Sequence, residues 1–425
     1  SSLLDPSNIR VEGWRVRLLE LHADLDQPTL QNFGSLVRSL APALHVDLAQ
    51  PLVPLLDQIK AGEIEADRLG LELNQLLLKQ AAKVSPRIVL AGATTIGPTQ
   101  PRNEDACWPC SNQAIKDGDN QIQLGIVCDG VGGHDGGEIA SQLAVQSLQI
   151  QLQTLLAETE NEPQALPPQI IMQQIEAVIR IVNELINHQN DNQARVGRQR
   201  MGTTLVMAVV IPQRIQTDAG WSRVHEVYLA HVGDSRAYWI TPDYCHLLTV
   251  DDDIAGREVK AGRQVPAIAR ERTDAGALTQ AIGTRSGDHL HPHLQRLILD
   301  ETGILLLCSD GLSDNYRIED AWANYIGLIV KDIVTLDSAV ASWLELANQK
   351  NGHDNTAVVL LQHKLPPRPT TTSDGQAAAS TSRRERVSPT NAKLYGESTT
   401  EEDAVATTPV GAKGLPLWGV IVSVI

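Results

Sequence analysis

Aspartates beside glycine or another small residue recur where strand-like runs end in this 425-residue sequence. They are Asp105, Asp129, Asp234, Asp310 and Asp354. Carboxylates that converge at one end of a sheet repel one another, so keeping them ionised requires compensating positive charge. All-oxygen ligands without paired cysteine or histidine favour hard cations such as Mg²⁺ or Mn²⁺ over Zn²⁺. The set therefore predicts a metal centre, whereas any single Asp–Gly pair would indicate only a turn.

Short motifs surround these aspartates along the chain. They are Asn-Glu-Asp (103–105), Asp-Gly-Val-Gly-Gly-His (129–134), Met-Gly-Thr-Thr (201–204), Val-Gly-Asp-Ser-Arg-Ala-Tyr (232–238), Leu-Thr-Gln-Ala-Ile-Gly (278–283), Cys-Ser-Asp-Gly-Leu (308–312) and Gly-His-Asp-Asn-Thr (352–356). Together and in this order they resemble the type 2C metal-dependent serine/threonine protein phosphatases, in their bacterial form. The resemblance extends over roughly residues 88–362.

The resemblance implies a set of metal ligands. Asp105 and Asp129 would bind a metal pair, with Asp129 bridging the two ions and the backbone carbonyl of Gly130 contributing. Asp310 and Asp354 would complete the shell. Two Mg²⁺ or Mn²⁺ ions would acidify a shared water and neutralise the phosphoryl oxygens, so that no protein nucleophile is required.

Two further acidic residues have roles that the resemblance implies. Glu104 would act through a metal-bound water, and Asp234 together with Asp310 would hold a third ion of the kind found in bacterial relatives. The centre would therefore contain two or three cations.

One residue is a candidate proton donor and another is a candidate for binding the phosphate group. His134 could donate a proton to the leaving alkoxide, or it could orient the glycine-rich loop while a water donates. Relatives usually have a phosphate-binding arginine three residues before the asparagine of Asn-Glu-Asp, but Gln100 stands there and Arg102 directly precedes Asn103. Either Arg102 reaches the phosphate, or it is a solvated loop residue and substrate binding depends on the metals.

Two other segments allow alternative interpretations. The charged stretch between Val250 and Leu278 corresponds to a mobile flap in the family, but a solvated loop fits equally well. Cys107 and Cys110 have the spacing of a redox pair but lack the strand–turn–helix setting of such sites.

Apolar patterns predict the elements that must position these residues. Apolar or alternating runs predict strands over 122–128, 203–211, 224–232, 304–308 and 356–361. An apolar stripe at helical spacing predicts helices over 138–158, 168–189 and 335–349. This order favours an α+β fold over a parallel βαβ repeat. The resemblance implies a four-layer α-β-β-α sandwich, in which helices flank two antiparallel sheets.

The chain divides into four segments by composition. Residues 1–87 are predicted to be a small helical region because leucines recur at helical spacing. The resemblance implies that residues 88–363 form the catalytic domain. Residues 364–414 are rich in Pro, Thr, Ser, Ala, Glu and Gly, which predicts a disordered linker. The apolar run 415–425 is shorter than the roughly 20 residues of a spanning helix. It is either the start of a membrane anchor, if the natural chain continues, or a docking segment.

Charge and cysteine content limit the partners and the cellular compartment that the sequence favours. A net charge of −16 disfavours binding to nucleic acid or anionic membranes, and five sparse cysteines indicate a reducing cytoplasm. The resemblance implies hydrolysis of phosphoserine and phosphothreonine on proteins, opposing a serine/threonine kinase. A catalytically weak phosphoprotein-binding module with the same fold is the alternative, and a metal-dependent nuclease fits the acidic charge poorly.

Overall fold

The structure is a computed structural model that describes residues 4–12, 15–19, 29–40, 46–110, 123–131, 136–159 and 165–366. The predicted linker beyond residue 366, the apolar run 415–425 and the loop that contains His134 lie outside these residues. None of the helices in the described ranges is both long enough and apolar enough to cross a membrane.

Strands and helices alternate along the chain in blocks. The strands are β1 (Ile9–Glu12), β2 (Arg15–Leu18), β3 (Arg87–Thr95), β4 (Asp105–Trp108), β5 (Gln123–Val131), β6 (Gly202–Thr203), β7 (Leu205–Thr217), β8 (Gly220–Val232), β9 (Arg236–Ile240), β10 (Cys245–Leu247), β11 (His293–Leu297), β12 (Gly303–Cys308) and β13 (Thr356–Lys364). The α-helices are α1 (Leu30–Leu40), α2 (Val46–Ala61), α3 (Ala66–Ala81), α4 (Gly137–Thr159), α5 (Pro168–Asn192), α6 (Ile254–Lys260), α7 (Pro266–Ala269), α8 (Asp310–Ser313), α9 (Arg317–Val330) and α10 (Leu336–Lys350).

Two antiparallel sheets form the centre of the molecule. The first has the strand order β10-β9-β12-β13-β3, and the second has the order β11-β8-β7-β5-β4, with β6 paired to β5. All strand pairs among the described residues are antiparallel, so this part of the chain is not a parallel βαβ repeat, as the order of predicted elements indicated.

Three apolar layers hold the sheets and helices together. Side chains such as Val127 and Leu307 meet between the two sheets. Ile126 points the other way and packs under α4 and α5, because successive side chains on a strand face opposite sides. Trp343 of α10 covers the outer face of the first sheet together with residues of α9. The predicted four-layer α-β-β-α sandwich is therefore confirmed.

The N-terminal region contains helices α1 to α3, but it begins with a β-hairpin. β1 pairs with β2, although residues 1–87 were predicted to be a helical region from their leucine spacing. The sequence Arg-Val-Arg-Leu at 15–18 alternates polar and apolar residues, and this period of two fits a strand. Leu77 and Leu78 of α3 then pack with Ile215 of β7 and Val224 of β8, which attaches the region to the β7–β8 hairpin of the second sheet.

Candidate metal centre

Sheet register brings the first two predicted ligands together. β4 pairs with β5 so that Asp105 lies directly opposite Asp129, and side chains in such positions are about 5 Å apart at Cβ. Burial raises the pKa of Asp105 to about 8. Burial, together with the charges of Asp105 and Asp310, also raises the pKa of Asp129. The two carboxyl groups share a site in which water cannot stabilise two negative charges.

Asp310 reaches the same site from the other sheet. It begins α8 immediately after β12, and the preceding Ser309 donates its hydroxyl to Oδ2 of Asp105 at 2.6 Å. Burial raises the pKa of Asp310 to about 6, with a further contribution from the charges of Asp314 and Asp354. Its Oδ1 is buried and has no hydrogen-bond partner among the described residues. Such an unpaired acceptor is costly unless a cation binds it.

Asp354 lies two residues before β13, and two hydrogen-bond donors orient its carboxylate. Its Oδ1 accepts from the side-chain amide of Gln100 at 3.2 Å and from the backbone N–H of Asn355 at 2.8 Å. The Asn355 side chain in turn accepts from the backbone N–H of Glu104 and donates to the carbonyl of Arg102, both at 2.8 Å. Asn355 thus joins the Asn-Glu-Asp loop to the loop before β13.

Two glycines allow the backbone around Glu104 to pack closely. The N–H of Gly130 donates to the Glu104 carbonyl at 3.1 Å, and a Cβ on Gly130 would lie 2.3 Å from the Gly137 backbone. A Cβ on Gly137 would lie 2.2 Å from Oε2 of Glu104. Burial raises the pKa of Glu104, and the charges of Glu138 and Asp354 add to the effect. Glu104 is therefore electrostatically part of the cluster.

Asp234 is positioned by the turn after β8. Gly233 has a φ of 100°, a conformation that favours glycine, and it directs the chain from β8 into β9. Burial raises the pKa of Asp234, and the charges of Asp310 and Asp251 raise it further. Asp251 is itself paired with Arg236 at 2.6 Å. Asp234 therefore lies near Asp310, the residue with which it was predicted to hold a third ion.

Arg102 lies at the rim of the cluster. Its Nη1 is 3.7 Å from Oε1 of Glu138, and its side chain is 59% exposed. Its charge also lowers the pKa of Glu104, opposing the effect of burial. Gln100 stands in the position of the usual arginine. Its side-chain amide donates hydrogen bonds to Asp354 and to the carbonyl of His353.

The arrangement concentrates negative charge in one buried place. The structure brings together Glu104, Asp105, Asp129, Asp234, Asp310 and Asp354 through the ends of strands in both sheets, with the Gly130 backbone beside them. Sequence reasoning missed Ser309, Gln100 and Asn355, which donate hydrogen bonds to the predicted ligands Asp105 and Asp354. Ser309 and Asn355 lie within the motifs, next to Asp310 and Asp354. A polar residue beside an aspartate was the sequence signal that could have indicated their role.

Residues 98–345, more than half of the chain, match the sequence model of protein phosphatase 2C. The chain is 31% identical over 273 residues to the protein phosphatase PhpP of Streptococcus pneumoniae, covering 63% of this chain and 94% of that protein. It is 27% identical over 274 residues to the serine/threonine phosphatase stp of Listeria innocua, covering 64% and 94%.

Solved phosphatase structures are also among the proteins similar to this chain. The serine/threonine phosphatase Stp1 of Staphylococcus aureus is 25% identical, with a TM-score of 0.49, covering 64% of this chain and 94% of that chain. The catalytic domain of the phosphatase PstP in complex with two manganese ions is 25% identical, with a TM-score of 0.47, covering 66% and 100%.

Proposed function

Because the chain belongs to the protein phosphatase 2C family, we propose that it hydrolyses phosphoserine and phosphothreonine on proteins. The observation that best supports this proposal is the buried group of carboxylates, in which Asp310 has an oxygen without a partner among the described residues. Every predicted acidic ligand in this sequence is Asp or Glu rather than a neutral residue, which favours an enzyme over a module that only binds phosphoproteins. A kinase that phosphorylates the same serines and threonines would be its counterpart.

The residues present fit two or three hard cations. Asp105, Asp129, Asp310 and Asp354 would hold a metal pair with the Gly130 carbonyl, and Asp234 with Asp310 would hold a third ion. Bound Mg²⁺ or Mn²⁺ supplies an acidified water and neutralises phosphoryl oxygens. The raised pKa of Asp105, about 8, describes the carboxyl without this compensation. A cation would reverse that shift because opposite charge stabilises the carboxylate.

The surrounding side chains would keep the carboxylates in place during turnover. The Ser309 hydroxyl orients Asp105, and Gln100 and Asn355 orient Asp354. Glu104 would hydrogen-bond to a water at the edge of the centre. His134 is the proposed proton donor to the serine or threonine alkoxide that leaves.

We assign phosphate binding to Arg102. Its ion pair with Glu138 is exposed, and such pairs contribute only about 0–1 kcal/mol, so the guanidinium can exchange this partner for a phosphate. A guanidinium can donate two parallel hydrogen bonds to a phosphoryl group. Gln100 cannot do so while its amide holds Asp354.

Release of phosphate from a phosphothreonine peptide in Mn²⁺ tests the proposed activity. The Asp310→Ala variant should lose nearly all turnover, because the centre loses a ligand that both sheets help to position. The Asp243→Ala variant is a matched control, since Asp243 is exposed in the turn between β9 and β10. Turnover that is unchanged in Asp310→Ala would reject the ligand assignment.

A further inference from the structure

A second group of ligating side chains lies apart from the carboxylate centre. One donor atom each of His231, Asp252 and His293 lies within 4.8 Å of the others. The group arises from sheet register, because β11 pairs with β8 so that His293 stands opposite His231. Their rings are stacked with centroids 4.8 Å apart. His231 and Asp252 are buried, whereas the side chain of His293 is 45% exposed.

The carboxylate of Asp252 is oriented toward this group. Its Oδ2 accepts from the amide of Gln280 at 2.7 Å and from the N–H of Gly233 at 3.1 Å. Its Oδ1 lies 2.9 Å from Nε2 of His293. Donors that fix one oxygen and leave the other directed at a common point are typical of ligands oriented by their surroundings.

A cation already lies at this point. The ammonium of Lys260, on α6, is 2.9 Å from Oδ1 of Asp252 and 3.2 Å from Nε2 of His293. Its side chain is 36% exposed and flexible, so it can move into solvent. The group therefore attracts positive charge, and the side chain that now supplies it can be displaced.

We propose that His231, Asp252 and His293 form a separate metal site for Zn²⁺, in which the ion replaces the Lys260 ammonium. Two imidazoles and one carboxylate, with an open fourth position, are a typical donor set for zinc. The Nε2 of His231 lies 3.0 Å from the Val250 carbonyl. In the neutral ring that donates this bond, Nδ1 has the lone pair that a metal requires.

The site would join the segment between Val250 and Leu278 to the second sheet. The backbone carbonyl of Asp252 accepts from the N–H and hydroxyl of Thr279 at 2.7 and 2.8 Å, which closes the segment that contains α6 and α7. Zinc would bind Asp252 at this closure and release Lys260 from it. The nitrogen ligands distinguish the site chemically from the carboxylate centre, which offers oxygen alone.

Equilibrium dialysis of the full chain against Zn²⁺ in excess Mg²⁺ tests the site, with bound zinc measured by elemental analysis. Mg²⁺ occupies oxygen ligands but competes poorly for histidine. We expect one zinc per chain at saturation, at least about tenfold weaker binding in His293→Ala, and at least about tenfold tighter binding in Lys260→Met, which lacks the competing charge. His293 is exposed enough for the variant to fold, and circular dichroism checks this.

The control separates the two metal sites. Zinc binding should persist in Asp310→Asn, because that residue belongs to the carboxylate centre alone. Three results would each overturn the proposal: no zinc bound by the parent chain, equal zinc binding by His293→Ala, or zinc binding that disappears in Asp310→Asn, which means zinc at the carboxylate centre only. A Lys260→Met variant that binds zinc no more tightly than the parent chain would also contradict it.

Discussion

Replacing Asp310 with asparagine should stabilise the metal-free protein while abolishing its activity. Asparagine has nearly the same shape but no charge, so the repulsion with Asp314 and Asp354 is removed. Its amide can also donate a hydrogen bond within a group that consists of acceptors. The same change removes a negative ligand that would bind Mg²⁺ or Mn²⁺, and turnover should fall with it.

The magnitude follows from the pKa of Asp310. Burial raises it from 3.8 to about 6, and each pKa unit corresponds to about 1.36 kcal/mol, so the charged side chain costs about 3 kcal/mol at pH 7. The folded state holds the proton more tightly than the unfolded chain does. The cost is therefore complete above pH 6 and disappears as the pH falls from 6 to 3.8.

Urea unfolding in EDTA measures the free energy of unfolding of the parent chain and the variant. Asp310→Asn should be more stable by about 3 kcal/mol at pH 7, and the difference should shrink toward pH 4. In saturating Mn²⁺ the order should reverse, because ligand binding stabilises only the protein that retains the site. The exposed control Asp243→Asn should differ from the parent by less than about 0.5 kcal/mol. A variant less stable than the parent in EDTA at pH 7 would refute the electrostatic reasoning.

Three further predictions concern residues around the centre and in the core. Arg102→Ala should raise KM for a phosphothreonine peptide about tenfold, with Arg102→Lys intermediate, whereas Glu138→Gln should not raise it; a KM unchanged in Arg102→Ala would show that the metals alone bind the phosphate. Gln100→Ala should weaken Mn²⁺ activation about tenfold because Asp354 loses the donor that orients it, as a titration of activity against Mn²⁺ would show, and an unchanged midpoint would contradict this role. Burial lowers the pKa of His363 from 6.5 to about 4, so the neutral ring contributes stability that is lost as the pH falls from 6.5 to 4, by about 3 kcal/mol; His363→Gln should flatten the dependence of the unfolding free energy on pH in that window, and an unaltered slope would exclude His363 as its source.

The strands predicted between residues 122 and 361 agree with the structure because burial on both faces of a strand leaves a continuous apolar run. Residues 304–308 were predicted as a strand on this basis, and the observed β12 begins one residue earlier. The apolar run that predicted 203–211 stops at Ile211, but β7 continues to Thr217. Beyond Ile211, β7 continues because its backbone pairs with β8 in the hairpin. Residue composition does not reveal such pairing.

Residue types and their order identified the family and the predicted acidic ligands, and the resemblance to the family implied the layers, since these depend on motifs within a few residues. The tertiary structure alone decided which groups meet. The opposition of Asp105 to Asp129 depends on the register of β4 on β5, and that of His231 to His293 on the register of β8 with β11. Likewise, Gln100 holds Asp354 across 254 residues of sequence. A shift of one residue in either strand pairing would turn its side chains to the other face of the sheet. Local sequence does not specify this register.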